Sequence, residues 1–348
     1  MKLTVIIPCY NVAPFIGRVL MCLVNQSLTD MEIICINDKS TDGTLDVLRS
    51  WEQGDLRVKV LDNKKHMGIA SAKNQGLDIA VGEYVGFMEP YDFVSTDYYK
   101  RLTELADMMG LQVACGELCV VDTRGHRQPD PYHTTKNMPN SYHLFRQYTT
   151  AIYRRDFLNA ASIRFPKLSV NDDIVFEAMV KCSMTTPMGF INRVSYTRFF
   201  YPEIQDQAYW STKTVQDSLR AIRTAINIYN SRPMTLTNYV NGAHEYFQYL
   251  CKNTLNKNIK MQSSIASAIC DTFQMLKYPE DLSIKNPPLF LALKNRDSAG
   301  VIDVLRAQQT HVKIYRIFGR WTLAKKTYSA TDIQLKILGI PFWTTNIK

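Results

Sequence analysis

The sequence predicts an α/β fold: a sheet of parallel strands wound with helices over the first two hundred residues, then a helical C-terminal region. Two observations carry this. Short runs rich in β-branched residues alternate with stretches whose apolar residues recur every three or four positions, the mark of successive β–α–β units. Beyond residue 206 the helical period takes over. A chain of 348 residues allows about two domains at roughly 100–200 residues each, and we place the division between 205 and 206. No apolar run approaches the roughly 18 residues a membrane span needs.

The elements follow in order. Leu3–Ile7 is a buried-strand run that Pro8 should stop, and Phe15, Ile16, Val19, Leu20, Cys22 and Leu23 then recur at helical spacing. Glu32–Ile36 is the second strand. Leu45, Leu48 and Trp51 mark a helix after the turn-like Lys39–Gly43. Val58–Leu61 is the third strand, and Ile69, Ala72, Lys73, Leu77 and Ala80 form a helix closed by Gly82. Tyr84–Met88 is the fourth strand. Val113–Cys115 and Cys119–Val121 read as two short strands around Gly116, and Gly125–Ser141 as a polar loop. Val215–Tyr229, Asn238–Asn253 and Gln262–Leu276 are the helices expected downstream.

Eight cysteines form no C-x-x-C pair and several sit in apolar runs. This fits buried, reduced thiols in a cytoplasmic protein rather than a disulfide framework. The opening M-K-L-T-V-I-I-P-C-Y-N does not read as a signal peptide. Of the +9 net charge, residues 206–348 supply 19 Lys and Arg against 9 acids, while residues 1–205 are close to neutral with 22 against 23. The basic part suits a phosphate-rich partner: nucleic acid, anionic lipid or a diphosphate-bearing substrate. Nucleic acid is disfavoured because no stacking or recognition motif accompanies the charge.

In an open parallel sheet, ligands bind beyond the carboxyl ends of the strands. Pro8-Cys9-Tyr10-Asn11, Asn37-Asp38 and Glu89-Pro90-Tyr91-Asp92 occupy three such ends. They offer a ring on which a base stacks, a carboxylate that accepts from a base N–H, and acids that hold a divalent metal against a diphosphate. Asx and Pro are also ordinary turn residues, so the functional reading rests on their convergence. Neither G-x-G-x-x-G nor a P-loop motif is present, which counts against dinucleotide and P-loop chemistry.

Three segments, I-I-P-C-Y-N-V, E-I-I-C-I-N-D-K-S-T-D-G-T and G-I-A-S-A-K-N-Q-G-L-D-I-A-V-G-E-Y, resemble the N-terminal half of family-two glycosyltransferases. The likeness continues through Y-R-R-D-F-L, I-R-F-P and N-D-D-I-V-F-E and spans about residues 1–200. It implies the GT-A fold, with a nucleotide-binding half over 1–110 and an acceptor half over 111–205. It also implies inverting transfer of a hexose-type sugar from a nucleotide sugar, UDP-linked, to a glycan or lipid-linked glycan acceptor. The implied setting is bacterial polysaccharide or lipooligosaccharide assembly. Pro8, Tyr10 and Asn11 match the nucleoside pocket, and Asp38 matches the acid that binds the uracil edge. Asn37 replaces that acid's usual partner. Gly68 and Lys73 lie in the segment that closes over base and ribose, with Lys73 where Arg is usual.

One motif departs. The family reads F-L-D-S-D-D after the fourth strand, where this chain has Phe87-Met88-Glu89-Pro90-Tyr91-Asp92. Glu89 and Asp92 retain carboxylates for Mn²⁺ or Mg²⁺, and Tyr91 replaces the acid that usually touches the metal. The alternatives are basic groups as the counter-charge, or a non-catalytic relative that binds nucleotide sugar or glycan without turnover. In Asn171-Asp172-Asp173-Ile174-Val175-Phe176 the family register to Phe176 puts the general base on Asp173, with Asp172 beside it. The same residues suit a helix N-terminus, with Asn171 as cap and a dipole that would lower the pKa of Asp173. Arg198 is a candidate to steady the leaving diphosphate. The tail Ile333–Trp343 resembles the endings of bacterial glycan-assembly transferases; it suits peripheral docking on anionic lipid or packing on its own domain.

Overall fold

The computed structural model describes residues 1–122, 126, 148–200, 212–231, 262–275, 287–308, 311–317, 321–328, 332–337 and 340–346. The loop expected over 125–141 (but for His126) and the helix expected over 238–253 lie outside the described residues. The chain divides into two compact units, Met1–Tyr239 and Val240–Lys348.

The first unit opens with β1 (Leu3–Cys9), α1 (Ala13–Val24), β2 (Met31–Asn37), α2 (Thr44–Gly54), β3 (Val58–Asp62), α3 (Ile69–Ile79) and β4 (Tyr84–Phe87). β5 (Phe93–Val94), α4 (Tyr98–Met109), β6 (Val113–Asp122) and a 3₁₀ turn at Tyr148–Thr150 come next. Then follow β7 (Ala151–Arg154), α5 (Arg155–Ala160), α6 (Asp172–Ser183), β8 (Gly189–Phe200) and α7 (Thr212–Asn230). One eight-stranded sheet has the order β3-β2-β1-β4-β7-β6-β8-β5. β3, β2, β1 and β4 are mutually parallel. β7 runs antiparallel to both β4 and β6, and β8 parallel to β6.

Both faces of the sheet are covered, so its central strands are mostly apolar rather than alternating. Leu3, Val5 and Ile7 join the core with Ile16, Leu20, Leu48 and Leu102, while Ile6 joins the opposite core with Leu77, Phe87, Phe157 and Phe176. α3 lies so close to β1 that a Cβ on Gly76 would stand 2.4 Å from Ile6 Cγ2.

Four expectations change. β1 runs through Pro8 to Cys9, because its pairing with β4 ends at Ile6–Phe87 and beyond that point it is paired on the β2 side alone, as an edge strand is. The two short strands around Gly116 are one strand whose register shifts at that glycine, where a Cβ would meet the Tyr98 ring at 2.5 Å. The first unit extends past residue 205 to include α7, whose Leu219, Ile222, Ala225, Ile226 and Tyr229 are buried. Asp217 of α7 accepts hydrogen bonds from the Ser169 backbone N–H (3.0 Å) and Oγ (2.6 Å), and Asn171 Nδ2 donates to Ser218 Oγ at 2.7 Å.

The last correction is that residues 206–348 are not wholly helical. The second unit contains α8 (Gln262–Phe273), α9 (Pro287–Lys294) and α10 (Ser298–Gln308). It also holds a four-stranded antiparallel sheet of β9 (His311–Ile317), β10 (Trp321–Tyr328), β11 (Asp332–Ile337) and β12 (Ile340–Asn346), in sequential order. The tail Ile333–Trp343 therefore falls on a hairpin, β11–β12. The cysteines of the described residues are free thiols. No helix among the described residues is long and apolar enough to cross a membrane.

Candidate active site

The loops after β1 and β2 are fastened to each other. Asn11 takes a left-handed conformation (φ 52°), which lets its Oδ1 accept from the Thr41 backbone N–H at 2.8 Å while its own N–H donates to Ser40 Oγ at 3.0 Å. The Asp38 N–H donates to the Cys9 carbonyl at 2.8 Å. Pro8 is buried in the strand, and Tyr10 at its end is 46% exposed. The ring of Tyr10 packs against that of His66, with ring centroids 4.3 Å apart.

Asp38 is buried and organises the loop that precedes α3. Its Oδ1 accepts from the Met67 N–H (2.8 Å) and Asn63 Nδ2 (3.0 Å), and its Oδ2 from the Gly68 N–H (2.7 Å). His66 Nδ1 lies 2.9 Å from Oδ2. Gly68 is the N-terminal flank of α3 with φ 89°, a conformation that glycine alone adopts without strain. Tyr10, Asn11, Asp38, His66 and Gly68 thus belong to one cluster at the ends of β1 and β2. Asn37 donates from Nδ2 to Asp62 Oδ1 at 2.7 Å. An aspartate at 37 would set two like charges against each other, which explains the amide at this position.

Lys73, expected in the segment that closes over base and ribose, is paired with an acid of α6. It is 1% exposed, and its Nζ lies 2.6 Å from Asp172 Oδ2 at the start of α6. The ammonium also stands 4.0 Å from the centroid of Phe165 and 4.5 Å from that of Tyr148. Phe165 stacks in parallel on Phe176 at 4.1 Å, so the Asp-x-x-Phe spacing seats its phenylalanine in the core and brings its acids beside Lys73.

Asp173 is half-buried in the first turn of α6. Burial and the adjacent Asp172 push its carboxyl up to about 6, against the opposing pull of Lys73 and the helix N–H groups. The expected lowering by the helix end is therefore outweighed: desolvation and a like charge exceed the dipole at this distance. Asn171 does not cap the helix through its side chain. Its φ of 58° turns the chain sharply into α6.

After β4, each acid is held by a tyrosine. Tyr148 donates its hydroxyl to Glu89 Oε1, and Tyr196 donates to Asp92 Oδ2 at 2.7 Å. The Glu89 N–H donates to the Tyr196 oxygen at 3.1 Å, and the Phe199 N–H to Asp92 Oδ1 at 3.3 Å. Asp92 is 3% exposed, and burial pushes it up to about 7 although Tyr196 and the charge of Arg198 pull it down. Burial and Glu89 raise Tyr91 to about 12, so it is a neutral phenol.

Of the two acids expected to hold a divalent ion, Glu89 is the more accessible. Such an ion needs accessible anionic oxygens, and Asp92 is buried, with the Tyr196 hydroxyl and the Phe199 N–H on its two oxygens. Among the described residues no group of three or more His, Cys, Asp or Glu side chains is placed to hold a metal. Arg198 pairs with Val120 in the β6–β8 ladder and acts electrostatically on Asp92. The sequence reading missed Tyr148, which links Glu89 to Lys73. It follows a long polar segment and no motif announces it. His66 was legible in principle, two residues before the glycine that closes the loop.

A parallel, doubly wound half with an aromatic–amide–carboxylate crevice at its strand ends, joined to a mixed half that contributes carboxylates from a helix N-terminus, is a GT-A fold. The sequence profile described as Glycosyl transferase family 2 matches residues 4–165. The chain is 38% identical over 114 residues to an uncharacterized glycosyltransferase, EpsJ, of Bacillus subtilis, covering 32% of this chain and 33% of that one. It is 29% identical over 185 residues to a poly(ribitol-phosphate) beta-glucosyltransferase of Bacillus spizizenii, covering 51% and 29%. These matches span about a third of those relatives' length. Among solved structures, S. aureus TarS 1–349 in complex with UDP-GlcNAc superimposes with a TM-score of 0.72 at 20% identity, over 90% of this chain and 95% of that one. That likeness is one of fold.

Proposed function

We propose that this chain transfers a sugar from a UDP-linked donor to a hydroxyl of a glycan or lipid-linked glycan, with inversion, in the building of a bacterial surface polysaccharide. The observation that carries the reading is Asp173: a half-buried carboxylate at a helix N-terminus, its neighbour Asp172 already neutralised by Lys73. A group titrating at about 6 is mostly ionised at neutral pH and still basic enough to take a proton. The acceptor oxygen forms its bond to the anomeric carbon as its proton passes to Asp173. The opposite bond, from that carbon to the diphosphate oxygen, breaks with its electron pair leaving on the nucleotide.

Tyr10 and the Asp38-ordered loop supply a place for the base. A poly(ribitol-phosphate) glucosyltransferase among the relatives and a fold neighbour solved with UDP-GlcNAc support this donor and acceptor class. Any Mn²⁺ or Mg²⁺ requirement would fall on Glu89, whose carboxylate is the more exposed of the pair. Peripheral attachment to anionic membrane through the basic second unit belongs to the same reading.

Asp173→Asn tests it. Turnover should fall by about 10²–10⁴, with donor affinity measured by calorimetry nearly unchanged. Near-normal turnover in this variant sinks the assignment. The second reading, a binder without turnover, is favoured by the tyrosine-held acids after β4. Slow hydrolysis of UDP-sugars by the wild-type chain separates the two, since a pure binder gives none.

A further inference from the structure

Lys73 is the most deeply buried cation among the described residues, in the middle of α3 with Ala70, Ala72, Gly76 and Leu77 around it. A buried ammonium is expensive unless paired, so its surroundings define what it is for. It has one carboxylate partner, Asp172 Oδ2 at 2.6 Å, and two ring faces, Phe165 and Tyr148. Asp172 Oδ1 in turn accepts the backbone N–H of Asp173 at 3.1 Å. The Tyr148 hydroxyl goes to Glu89. A single buried charge thus touches both the acceptor-side acids and the tyrosine that holds the donor-side acid.

We propose that Lys73 is a positioning residue for acceptor activation: it neutralises Asp172 so that Asp173 alone is left to take the hydroxyl proton, and through Tyr148 it fixes Glu89 relative to that base. The inference rests on the reading of Asp173 as the base. Two adjacent carboxylates share a turn of helix here, and without a cation one would suppress the ionisation of the other. The groups facing Asp173 agree with this role. On its own helix stand Asp172 and Glu177, the latter ion-paired to Lys181 at 3.2 Å. From other elements come Lys73 on α3, Tyr148 on the 3₁₀ turn and Tyr153 on β7, whose phenols burial keeps neutral. Glu89 lies behind Tyr148. Among the described residues Lys73 is the cation acting on Asp173, and it opposes the upward push of burial and Asp172.

The test reads Asp173 directly and needs no acceptor. The full chain is labelled with ¹³C at aspartate carboxyls and titrated by NMR, and the Asp173 resonance is assigned by its absence in Asp173→Asn. Lys73→Met should raise the Asp173 midpoint by about one to three pH units, the usual effect of removing an opposite charge. Lys73→Arg keeps the charge in a bulkier form and should leave the midpoint within about half a unit of wild type, even where thermal stability drops. Asp172→Asn should move it down. An unmoved midpoint in folded Lys73→Met, or a Lys73→Arg midpoint that follows Lys73→Met, overturns the proposal. Should Lys73→Met fail to fold, an unmoved midpoint in Asp172→Asn overturns it instead. Failure of the base reading has a different signature: Asp173→Asn would then turn over normally while the coupling between Lys73 and Asp173 persists.

Discussion

The hydroxyl of Tyr196 donates to Asp92 Oδ2 at 2.7 Å, joining the turn after β4 to the middle of β8 across 104 residues of sequence. The same oxygen accepts the Glu89 N–H at 3.1 Å. One buried phenol therefore shapes the whole segment that replaces the family's acidic motif. Asp92, the acid kept in its usual place, serves the fold at this point and is turned away from solvent.

Asp92 gives the protein a pH signature in stability. Its folded-state carboxyl is pushed up to about 7, above the roughly 3.9 of an unfolded chain. Between these values the folded state holds the extra proton, so stability falls as pH rises from about 4 to about 7. Asp92→Asn should remove that part of the fall and be the more stable variant at pH 8, by on the order of 1–4 kcal/mol, with the gain gone near pH 4. Urea unfolding at the two pH values measures this. A variant less stable than wild type at pH 8 would mean that ionised Asp92 is stabilising.

Removing divalent metal should matter little for nucleotide binding. With Asp92 occupied and Tyr91 neutral, UDP affinity in EDTA should stay within about threefold, or roughly 0.65 kcal/mol, of its value in millimolar Mn²⁺. Titration calorimetry decides it; loss of binding in EDTA would show that a cation is held here after all.

Tyr10 and His66 pack ring against ring at the end of β1. A base stacked there is worth about 1–3 kcal/mol. Tyr10→Ala should therefore weaken UDP binding about fivefold to a hundredfold, and His66→Ala by less. Asp38→Ala should do the same indirectly, since the Met67 and Gly68 N–H groups lose their acceptor and the loop loosens. Equal UDP affinity in all three variants would place the nucleoside elsewhere.

The extent of the first unit can be tested by truncation. A chain ending at 239 should fold cooperatively, whereas one ending at 205 exposes the α6 face that α7 covers and should aggregate or melt at a lower temperature. Asp217→Ala in the full chain should cost about 1–3 kcal/mol, because it strands both donors of Ser169. Equal melting temperatures for the two truncated chains would show that α7 is dispensable.

Local pattern alone determined the first half of this protein. β1 to β4 and α1 to α3 were legible because β-branched runs and helical spacing are short-range properties, and because a parallel sheet covered on both faces makes its strands mostly apolar. The strand-end positions of Tyr10, Asn11, Asp38, Glu89 and Asp92 followed from topology. Tertiary structure decided what those residues touch. Nothing near Lys73 in the sequence names Asp172, nothing near Glu89 names Tyr148, and the pKa of Asp173 depends on burial that no helix-end rule supplies. β6 was split in two because Gly116 reads as a break, when it is a close approach to Tyr98. The C-terminal sheet was missed although β11 alternates polar and apolar residues (Asp332-Ile333-Gln334-Leu335-Lys336-Ile337), because Lys and aromatic residues mix along β10 and β12. A side chain's ionisation and its partner are set by groups brought together from distant positions, and only the folded chain holds those distances.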